Sequence, residues 1–359
     1  MRHVLVIGEG QLGMMLAEAG VRLGVVVDRL HPEEGDIIAG GSDLRQTLDA
    51  DTVLARYDVI TSEREHFPQT PLVQALISHS KFPNADTYAL LPDRAQQKTM
   101  LDELAIATAP WGLWHGDAAT AMADFGDRAR LKSRRGGYDG KGQWALNKGG
   151  DLPPADSAII ESHIDFSREL SLVGARNANG EKVFLPLVEN RHRDGILRLT
   201  LAPVAEMGAC VADLQAEAED WLGRIMDHLG YVGVMAMELF DTDKGLLVNE
   251  LAPRVHNSGH WSQDAASACQ FELHLRALCN LPLAAPQLHG CAAMINIIGE
   301  AWDPEWLHIP DLHLHWYAKS PVRPGRKMGH FNLFTRDAAS LHARLHELTA
   351  KLPWLAQDL

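Results

Sequence analysis

Two glutamates in apolar surroundings are the residues whose types and spacing most clearly suggest chemistry. Glu238 lies in the segment AMELF and Glu250 in VNEL, and the turn DTDKG between them predicts that the two segments form a β-hairpin. Burial of two unpaired carboxylates is costly, so a compensating cation is expected. With Asn249 beside them, these oxygens suit Mg²⁺, which takes few protein ligands and keeps phosphate oxygens in its octahedron. The alternative is that one or both glutamates face solvent at a sheet edge.

A glycine-rich segment, LKSRRGGYDGKGQW at 131–144, lies between two strand-like stretches. Such a loop can fold over a ligand and donate backbone N–H groups to phosphate. Lys132 lies on the incoming strand, and Arg134, Arg135 and Lys141 add positive charge. The segment is not a Walker loop, because G-x-x-x-x-G-K-[ST] is absent. The alternative is a basic hairpin on the surface.

The lysine, the glycine-rich loop and the paired glutamates are together typical of phosphoryl transfer from ATP. The lysine and the loop would hold the triphosphate, and the acids would hold the metal ion that offsets its charge. No serine, histidine and aspartate arrangement typical of a hydrolase competes with this interpretation.

A second glycine motif, VIGEGQLGMM at 6–15, opens the chain with Gly8, Gly10 and Gly13 in G-x-G-x-x-G spacing after an apolar run. The helix expected after it would bury the apolar positions Leu12, Met15, Leu16 and Ala19. Asp28 then ends the next apolar run, where a dinucleotide-binding fold places its ribose-binding acid. This stretch alone leaves NAD, another phosphate ligand and plain helix–strand packing open.

Composition excludes some classes of function. The chain has 359 residues, 46% of them hydrophobic, which suits a globular protein of two or three domains. Its net charge of −14 argues against binding to nucleic acid or to an anionic membrane. No signal peptide or spanning segment is evident, and the four cysteines, Cys210, Cys269, Cys279 and Cys291, show no C-x-x-C pairing. We therefore expect reduced, buried thiols in a cytoplasmic protein.

The elements that must position these residues predict an α/β protein. HVLVIG, GVVVD and YDVITSE read as parallel strands of an open sheet, with Glu63 just past the third strand and able to face the crevice, unless it is a solvated loop acid. Asp93 is placed to cap a helix that marks a boundary. Near the end, DLHLHWYAK reads as a strand, RPGRKMGH as a basic turn and the remainder as a helix.

With these residues in view, the chain resembles the ATP-grasp superfamily and, within it, the N5-carboxyaminoimidazole ribonucleotide synthetases of purine biosynthesis. The matching segments include GQLG, RRGGYDGKGQ, FSRELSLVGAR, NELAPRVHNSGHW, HLHWYAK and RPGRKMGH, in order from residue 10 to about residue 330. The resemblance implies an ATP-grasp fold with an N-terminal Rossmann-like open parallel sheet and a small C-terminal domain. It implies domains at 1–92, 93–300 (with a mobile lid at about 120–165) and 301–359.

The resemblance also implies a reaction. ATP phosphorylates bicarbonate to carboxyphosphate, and the exocyclic amine of 5-aminoimidazole ribonucleotide takes the carboxyl group, giving ADP and phosphate. A closed site protects such a short-lived intermediate from water. The family further implies a homodimer. Rival interpretations are another ATP-grasp ligase, of the formate-dependent glycinamide ribonucleotide transformylase or biotin carboxylase type, an NAD-binding oxidoreductase, and a non-catalytic nucleotide-binding module.

Roles for individual residues follow from the same resemblance. Glu238 and Glu250 are the implied ligands of Mg²⁺, or of Mn²⁺ in its place. The implied ATP contacts are Arg94, Lys132, the lid residues Gly137, Tyr138, Asp139, Gly140, Lys141, Gly142 and Gln143, the adenine hinge Glu161, Ser162, His163 and Ile164, then Glu169 near the ribose, His192, Asn249 and Glu250.

The implied ribonucleotide contacts are Gln11, Leu12, Glu63, Tyr138, Lys141, Asn257, Lys319 and Arg326. Arg254 and Asn257 are expected beside the transferring phosphate and bicarbonate. Asp139 and Lys319 are the candidates for handling the amine proton and stabilising the developing carboxylate. On this interpretation the first glycine turn approaches the ribonucleotide rather than a pyrophosphate, and Asp28 has no role in binding.

Overall fold

The N-terminal region forms the open sheet that its three apolar runs predict. The computed structural model describes residues 1–40, 42, 44–137, 142–146, 151–204 and 211–359, the side chain of Val211 excepted. The strand order is β4-β3-β2-β1-β5, with β1 parallel to both β2 and β5. The elements are β1 (Arg2–Ile7), α1 (Gln11–Leu23), β2 (Val25–Leu30), β3 (Asp36–Ile38), β4 (Arg45–Thr47), α2 (Ala50–Arg56), β5 (Val59–Ser62), α3 (Pro71–Ile77) and α4 (Ala85–Leu90).

Helix α1 packs as its apolar spacing predicts. Met15, Leu16 and Ala19 are buried, and the helix ends at Gly24, whose φ of 65° is a left-handed conformation that glycine adopts without strain. The buried side chains join one core with residues of α9 (Gln270–Leu278), so α1 connects the first sheet with the rest of the protein.

A small four-stranded sheet follows, with strand order β6-β9-β7-β8 among the described residues. As predicted, Asp93 caps the helix that introduces it, because its carboxylate accepts a hydrogen bond from Ala95 N at 3.0 Å. The two strands predicted on either side of the glycine-rich segment are present, and they pair antiparallel. The elements are α5 (Arg94–Glu103), β6 (Trp111–Leu113), α6 (Ala118–Phe125), β7 (Arg130–Ser133), β8 (Gln143–Ala145) and β9 (Ala158–Glu161).

The largest sheet, nine-stranded within the described residues, has the order β15-β14-β10-β12-β13-β16-β18-β17, with β11 paired to β10. It passes through the predicted boundary at residue 300, which remains a prediction. Its strands are β10 (Arg168–Arg176), β11 (Lys182–Phe184), β12 (Val188–Arg193), β13 (Ile196–Ala202), β14 (Gly233–Thr242), β15 (Gly245–Ala252), β16 (Cys291–Ile298), β17 (Leu312–Trp316) and β18 (Lys327–Thr335). The helices beside them are α7 (Val211–His228), α8 (Ser262–Ala265), α9 and α10 (Ala338–Leu348), with 3₁₀ turns at Asn257–Gly259, Pro304–His308 and Pro353–Gln357.

One expectation for this region was wrong. The segment RPGRKMGH is not a turn throughout, because β18 begins at Lys327, which pairs with Ile298 of β16. Three residues in that strand, 328–330, are buried, so packing against β16 extends the strand into a segment whose composition suggested a turn.

The described thiols are buried or partly buried, as the sequence predicts. Cys279 and Cys291 are buried and Cys269 is partly buried, whereas Cys210 lies outside the described residues. In the part of the chain that the structure describes, every helix is too short or too polar to cross a bilayer.

Candidate active site

The two glutamates face each other across the predicted hairpin. Glu238 of β14 is the direct cross-strand partner of Glu250 of β15, and residues paired in this way lie on the same face of a sheet. Burial, followed by the negative charge of Glu250, raises the pKa of Glu238 from 4.5 to about 7. The charges of His192 and Lys327 oppose this shift and do not overcome it. The pair is therefore an electrostatically unfavourable arrangement held in place by the sheet.

A β-bulge places Asn249 and Glu250 at the same cleft. The register shifts between Glu238 and Leu239, which leaves Asn249 as the extra residue of β15. A regular strand would send two neighbouring side chains to opposite faces. Here Asn249 Oδ1 accepts a hydrogen bond from Lys132 Nζ at 3.1 Å, and Glu250 Oε1 lies 3.5 Å from Arg94 Nη2.

These donors fit a divalent cation. Two carboxylates on one face and an adjacent amide are hard oxygen ligands, and a cation between them would relieve the repulsion that raises the pKa of Glu238. Among the described residues no cluster of three or more His, Cys, Asp or Glu side chains has metal-binding geometry. The remaining coordination positions would therefore fall to the asparagine, water and phosphate oxygens, as is usual for Mg²⁺.

Arg94 links the acids to the glycine-rich loop. Its guanidinium donates to Ser133 O at 2.9 Å and to Gly137 O at 3.1 Å, besides its contact with Glu250. The arginine thus reaches the start of the loop from the first turn of α5. The residues that border the loop lie at one end of the small sheet. There Lys132 of β7 pairs with Gln143 of β8, and Gly142 forms a turn.

A buried charge cluster lies behind the loop. One oxygen of Glu161 is 2.7 Å from Lys98 Nζ, and the other is 2.6 Å from Lys132 Nζ. Burial acts to raise the pKa of Glu161, but the two ammonium groups outweigh it and lower the pKa to about 2. Lys98, only 2% exposed, also donates to Thr108 Oγ1. The carboxylate that begins the predicted adenine hinge is therefore fixed by two cations.

The predicted hinge residues follow β9 directly. Glu161 is the last residue of the strand, and Ser162 N donates to Pro110 O at 2.9 Å. His163 contacts Arg128 and Asp165, and Ile164 is partly buried. The chain leaves the sheet at this point, so the segment 162–164 directly follows the carboxylate that the two lysines hold.

Glu169 and His192 lie together on neighbouring strands. His192 Nδ1 is 3.1 Å from Glu169 Oε2. Burial lowers the pKa of His192, but the Glu169 carboxylate and then Glu238 raise it more, and the net shift is upward. A further histidine, His256, has Nε2 at 3.3 Å from Glu238 Oε1, and burial among positive groups holds its pKa well below the usual value.

The first glycine turn contacts a carboxylate of the protein itself. Glu63 accepts hydrogen bonds from the backbone N–H groups of Gly10 and, at 2.6 Å, Gly13, and so occupies the start of α1. A Cβ on Gly8 would lie 2.3 Å from Glu63 Cγ, so only glycine fits there. Burial raises the pKa of Glu63, although the two N–H groups and Arg254 oppose it. Predicted residues Gln11 and Leu12 form the first turn beside it.

Asp28 is structural. It is 1% exposed, and its carboxylate accepts hydrogen bonds from Gly40 N at 2.8 Å, Tyr57 Oη at 2.6 Å and Arg56 Nη2 at 3.1 Å. These partners occupy the side chain that a dinucleotide would need for its ribose. Glu63 likewise bonds the N–H groups at the start of α1, so protein contacts take up both groups on which the dinucleotide interpretation rested.

Arg254 and Asn257 follow β15 and are held by different partners. Arg254 Nη2 lies 2.7 Å from Glu65 Oε1, in the N-terminal region. The side-chain amide of Asn257 pairs in both directions with Asn296, at 3.1 and 2.7 Å. Asn257 is therefore already bonded on both sides, and its predicted contact with substrate stays a prediction.

Lys319, Arg326 and Lys327 supply positive charge at the C-terminal side. Lys319 Nζ donates to Lys327 O at 3.0 Å and lies 5.1 Å from the centroid of the Tyr317 ring. Arg326 Nη1 donates to Pro321 O at 2.8 Å. Lys327 lowers the pKa of Glu238 and of His192, which places its ammonium group near the acids.

Part of the predicted site cannot be compared with the structure. Tyr138, Asp139, Gly140 and Lys141 lie outside the described residues, and so do residues 147–150 within the predicted lid. Their roles remain predictions.

Sequence reasoning missed three residues of the site. Lys98 follows Arg94 by four positions on α5, a spacing that puts both on one helix face and could have indicated it. Glu65 belongs to the segment SEREH, where only the first acid drew attention. Lys327 was overlooked because its segment was interpreted as a turn.

Comparisons with known proteins identify the family. The family model for the ATP-grasp domain matches residues 99–271, and the model for the phosphoribosylaminoimidazole carboxylase C-terminal domain matches residues 292–344. The N5-carboxyaminoimidazole ribonucleotide synthase of Escherichia coli (strain K12) is 46% identical over 362 residues, which cover 98% of this chain and 96% of that protein.

Solved structures give the same result. The N5-carboxyaminoimidazole ribonucleotide synthetase of Thermus thermophilus superposes with a TM-score of 0.82 at 37% identity, over 97% of this chain and 98% of that one. The Staphylococcus aureus synthetase, solved in complex with ADP, has a TM-score of 0.82 at 30% identity and covers 96% of both chains. The chain has the ATP-grasp fold and belongs to the N5-carboxyaminoimidazole ribonucleotide synthase family of ATP-grasp ligases.

Proposed function

We propose that this protein carboxylates 5-aminoimidazole ribonucleotide with bicarbonate at the expense of ATP, within purine biosynthesis. The observation that carries the proposal is the placement of Glu238 opposite Glu250 beside Lys132 and Arg94 in a member of this family. These are the groups that a triphosphate with a bound divalent ion needs. Family membership supplies the identity of the acceptor.

In the first step a bicarbonate oxygen attacks the γ-phosphorus of ATP, ADP leaves and carboxyphosphate forms. Mg²⁺, when bound by Glu238 and Glu250, would offset the charge of the phosphate oxygens. Lys132 provides a point charge for those oxygens, fixed by Glu161 and Asn249. Arg94, which holds the start of the glycine-rich loop, adds a second cation.

In the second step the exocyclic amine of the ribonucleotide attacks the carbonyl carbon of carboxyphosphate. Inorganic phosphate leaves, and the amine loses one proton. Asp139 and Lys319 are the proposed groups for the proton and for the developing carboxylate. Lys319 is oriented by Lys327 O and the face of Tyr317. Glu63, Tyr138, Lys141 and Arg326, with the first turn of α1, are the proposed contacts of the ribonucleotide.

The decisive experiment measures phosphate release by the purified protein with ATP, Mg²⁺ and bicarbonate. We expect the rate to rise when 5-aminoimidazole ribonucleotide is added, with consumption of that compound. Glycinamide ribonucleotide with formate, and biotin, should not substitute for it. Absence of stimulation in bicarbonate buffer would reject the assignment. Assembly as a homodimer also stays a proposal, which sedimentation equilibrium would test.

A further inference from the structure

An ion pair connects the N-terminal sheet with the region of the paired acids. Glu65 lies three residues after β5, and Arg254 lies two residues after β15. The carboxylate and the guanidinium are 2.7 Å apart, and the two side chains are 21% and 23% exposed. An ion pair so far removed from water holds its geometry more firmly than one on the surface.

A second contact joins the same two segments. Tyr88 Oη donates to Pro253 O at 2.7 Å and lies 3.3 Å from Ser62 O. Arg254 itself donates from Nη1 to Val255 O at 3.2 Å. Two contacts thus hold the segments 62–65 and 253–255 together, so a displacement of one segment would displace the other.

Arg254 lies among three carboxylates. Burial acts to lower its pKa, but Glu65 raises it more, and Glu250 contributes in the same direction. The Arg254 charge in turn lowers the pKa of Glu63. Glu63 is a proposed ribonucleotide contact and Glu250 a proposed metal ligand. Arg254 pairs with the segment that carries Glu63 and follows the strand that carries Glu250, so it connects the two half-sites of the proposed reaction.

We infer that Glu65 is a positioning residue that holds Arg254 for transfer of the carboxyl group and couples that transfer to occupancy of the ribonucleotide site. The inference rests on the proposed function. Glu63 and Glu65 are two positions apart on one short segment, so a ribonucleotide bound at Glu63 acts directly on the segment that anchors Arg254. Without this anchor, carboxyphosphate would be exposed to water, which converts it to bicarbonate and phosphate with no carboxylated product.

The test is the stoichiometry of Glu65→Gln. The wild-type protein should release one phosphate for each ribonucleotide consumed. In the variant we expect phosphate release in excess of ribonucleotide consumption, while the KM for ATP stays unchanged. We also expect the rate of carboxylation to fall by about 10- to 100-fold, the range that misplacement of a group in an active site costs. A purely structural role for Glu65 would lower both rates together and keep the ratio at one.

Glu347→Gln is the matched control. Glu347 pairs with Arg344 at 3.0 Å within α10, away from the segments 62–65 and 253–255, and the two side chains are 65% and 26% exposed. It should leave the ratio and both rates unchanged. Glu65→Asp, which keeps the charge, should restore part of the coupling, and it replaces Glu65→Gln as the test if the latter does not fold. A one-to-one ratio in a folded Glu65→Gln protein would overturn the inference, and so would a one-to-one ratio at the wild-type rate in Glu65→Asp where that variant replaces it. If the rate of phosphate release by the wild-type protein did not depend on the ribonucleotide, the proposed function itself would be rejected.

Discussion

Glu238 lies directly opposite Glu250 in the antiparallel register of β14 and β15, with His256 Nε2 at 3.3 Å from Glu238 and Arg94 Nη2 at 3.5 Å from Glu250. The sheet therefore holds two like charges on one face. This arrangement makes sense if selection acted on cation binding rather than on stability, since stability–function trade-offs of this kind are common at active sites.

Glu238→Gln should stabilise the metal-free protein at pH 8 while it abolishes ATP turnover. The folded protein keeps the Glu238 proton up to about pH 7, whereas the unfolded chain releases it near pH 4.5. The free energy of unfolding therefore falls as the pH rises from about 4.5 through about 7. The shift corresponds to at most about 3 kcal/mol of unfolding free energy. Urea unfolding in EDTA at pH 8 and at pH 5 measures the gain, which should fall to about 1 kcal/mol or less at the lower pH. Asp243→Asn, at the exposed tip of the same hairpin, is the control. Equal stability of Glu238→Gln and wild type at pH 8 would refute the repulsion.

The affinity for Mg²⁺ should fall as the pH drops below about 7. Glu238 binds a cation only when ionised, so protons compete with the metal. The loss approaches about ten-fold per pH unit in the limit where one proton is displaced. Isothermal titration calorimetry of Mg²⁺ with ADP between pH 5.5 and 8, in buffers of different ionisation enthalpy, would reveal both the trend and the proton released. A pH-independent affinity would contradict it.

Lys98→Met should destabilise the protein and weaken nucleotide binding. Glu161 would retain only Lys132 as a partner, and breaking a buried pair typically costs about 3 to 5 kcal/mol. The pKa of Glu161 should rise from about 2, and Lys132 should lose its fixed position. Urea unfolding and ADP binding measure the two effects. Lys182→Met removes a lysine from a more exposed pair with Asp227 and should cost about 1 kcal/mol or less, with ADP binding intact. Equal effects of the two substitutions would argue against a special role for Lys98.

Lys319→Ala should lower turnover and leave nucleotide affinity intact. The side chain lies at the C-terminal side, where it donates to Lys327 O and packs over the Tyr317 ring. Loss of a group that handles a proton typically costs about 10²- to 10⁴-fold in rate. Steady-state kinetics and ADP calorimetry separate the two quantities, with the exposed Lys351→Ala as control. Lost ADP affinity would place Lys319 in the nucleotide pocket instead.

Local patterns predicted the local parts of this protein. The helix α1 and the hairpin of β14 and β15 follow from apolar spacing and turn residues within a few positions, so neither depends on distant partners. The capping of α5 by Asp93 is of the same kind.

What the sequence could not reveal are pairings over long separations. The contact of Lys98 with Glu161 spans 63 positions and that of Glu65 with Arg254 spans 189, so no local pattern encodes them. Likewise, the strand that starts at Lys327 exists because β16 pairs with it. Asp28 is the opposite case. A local motif suggested that its carboxylate binds a ligand, whereas in the fold the carboxylate accepts hydrogen bonds from Tyr57 and Arg56.

The carboxylate at the start of α1 has a consequence for selectivity. Most helix beginnings are open receptors for anions, whereas this one has been filled from within by Glu63. Abundant pyrophosphate cofactors that approach this corner meet a negative group in the place where related folds offer them free N–H donors. A pyrophosphate group would have to displace this carboxylate to reach the N–H groups of Gly10 and Gly13, so one acidic side chain closes the motif from within.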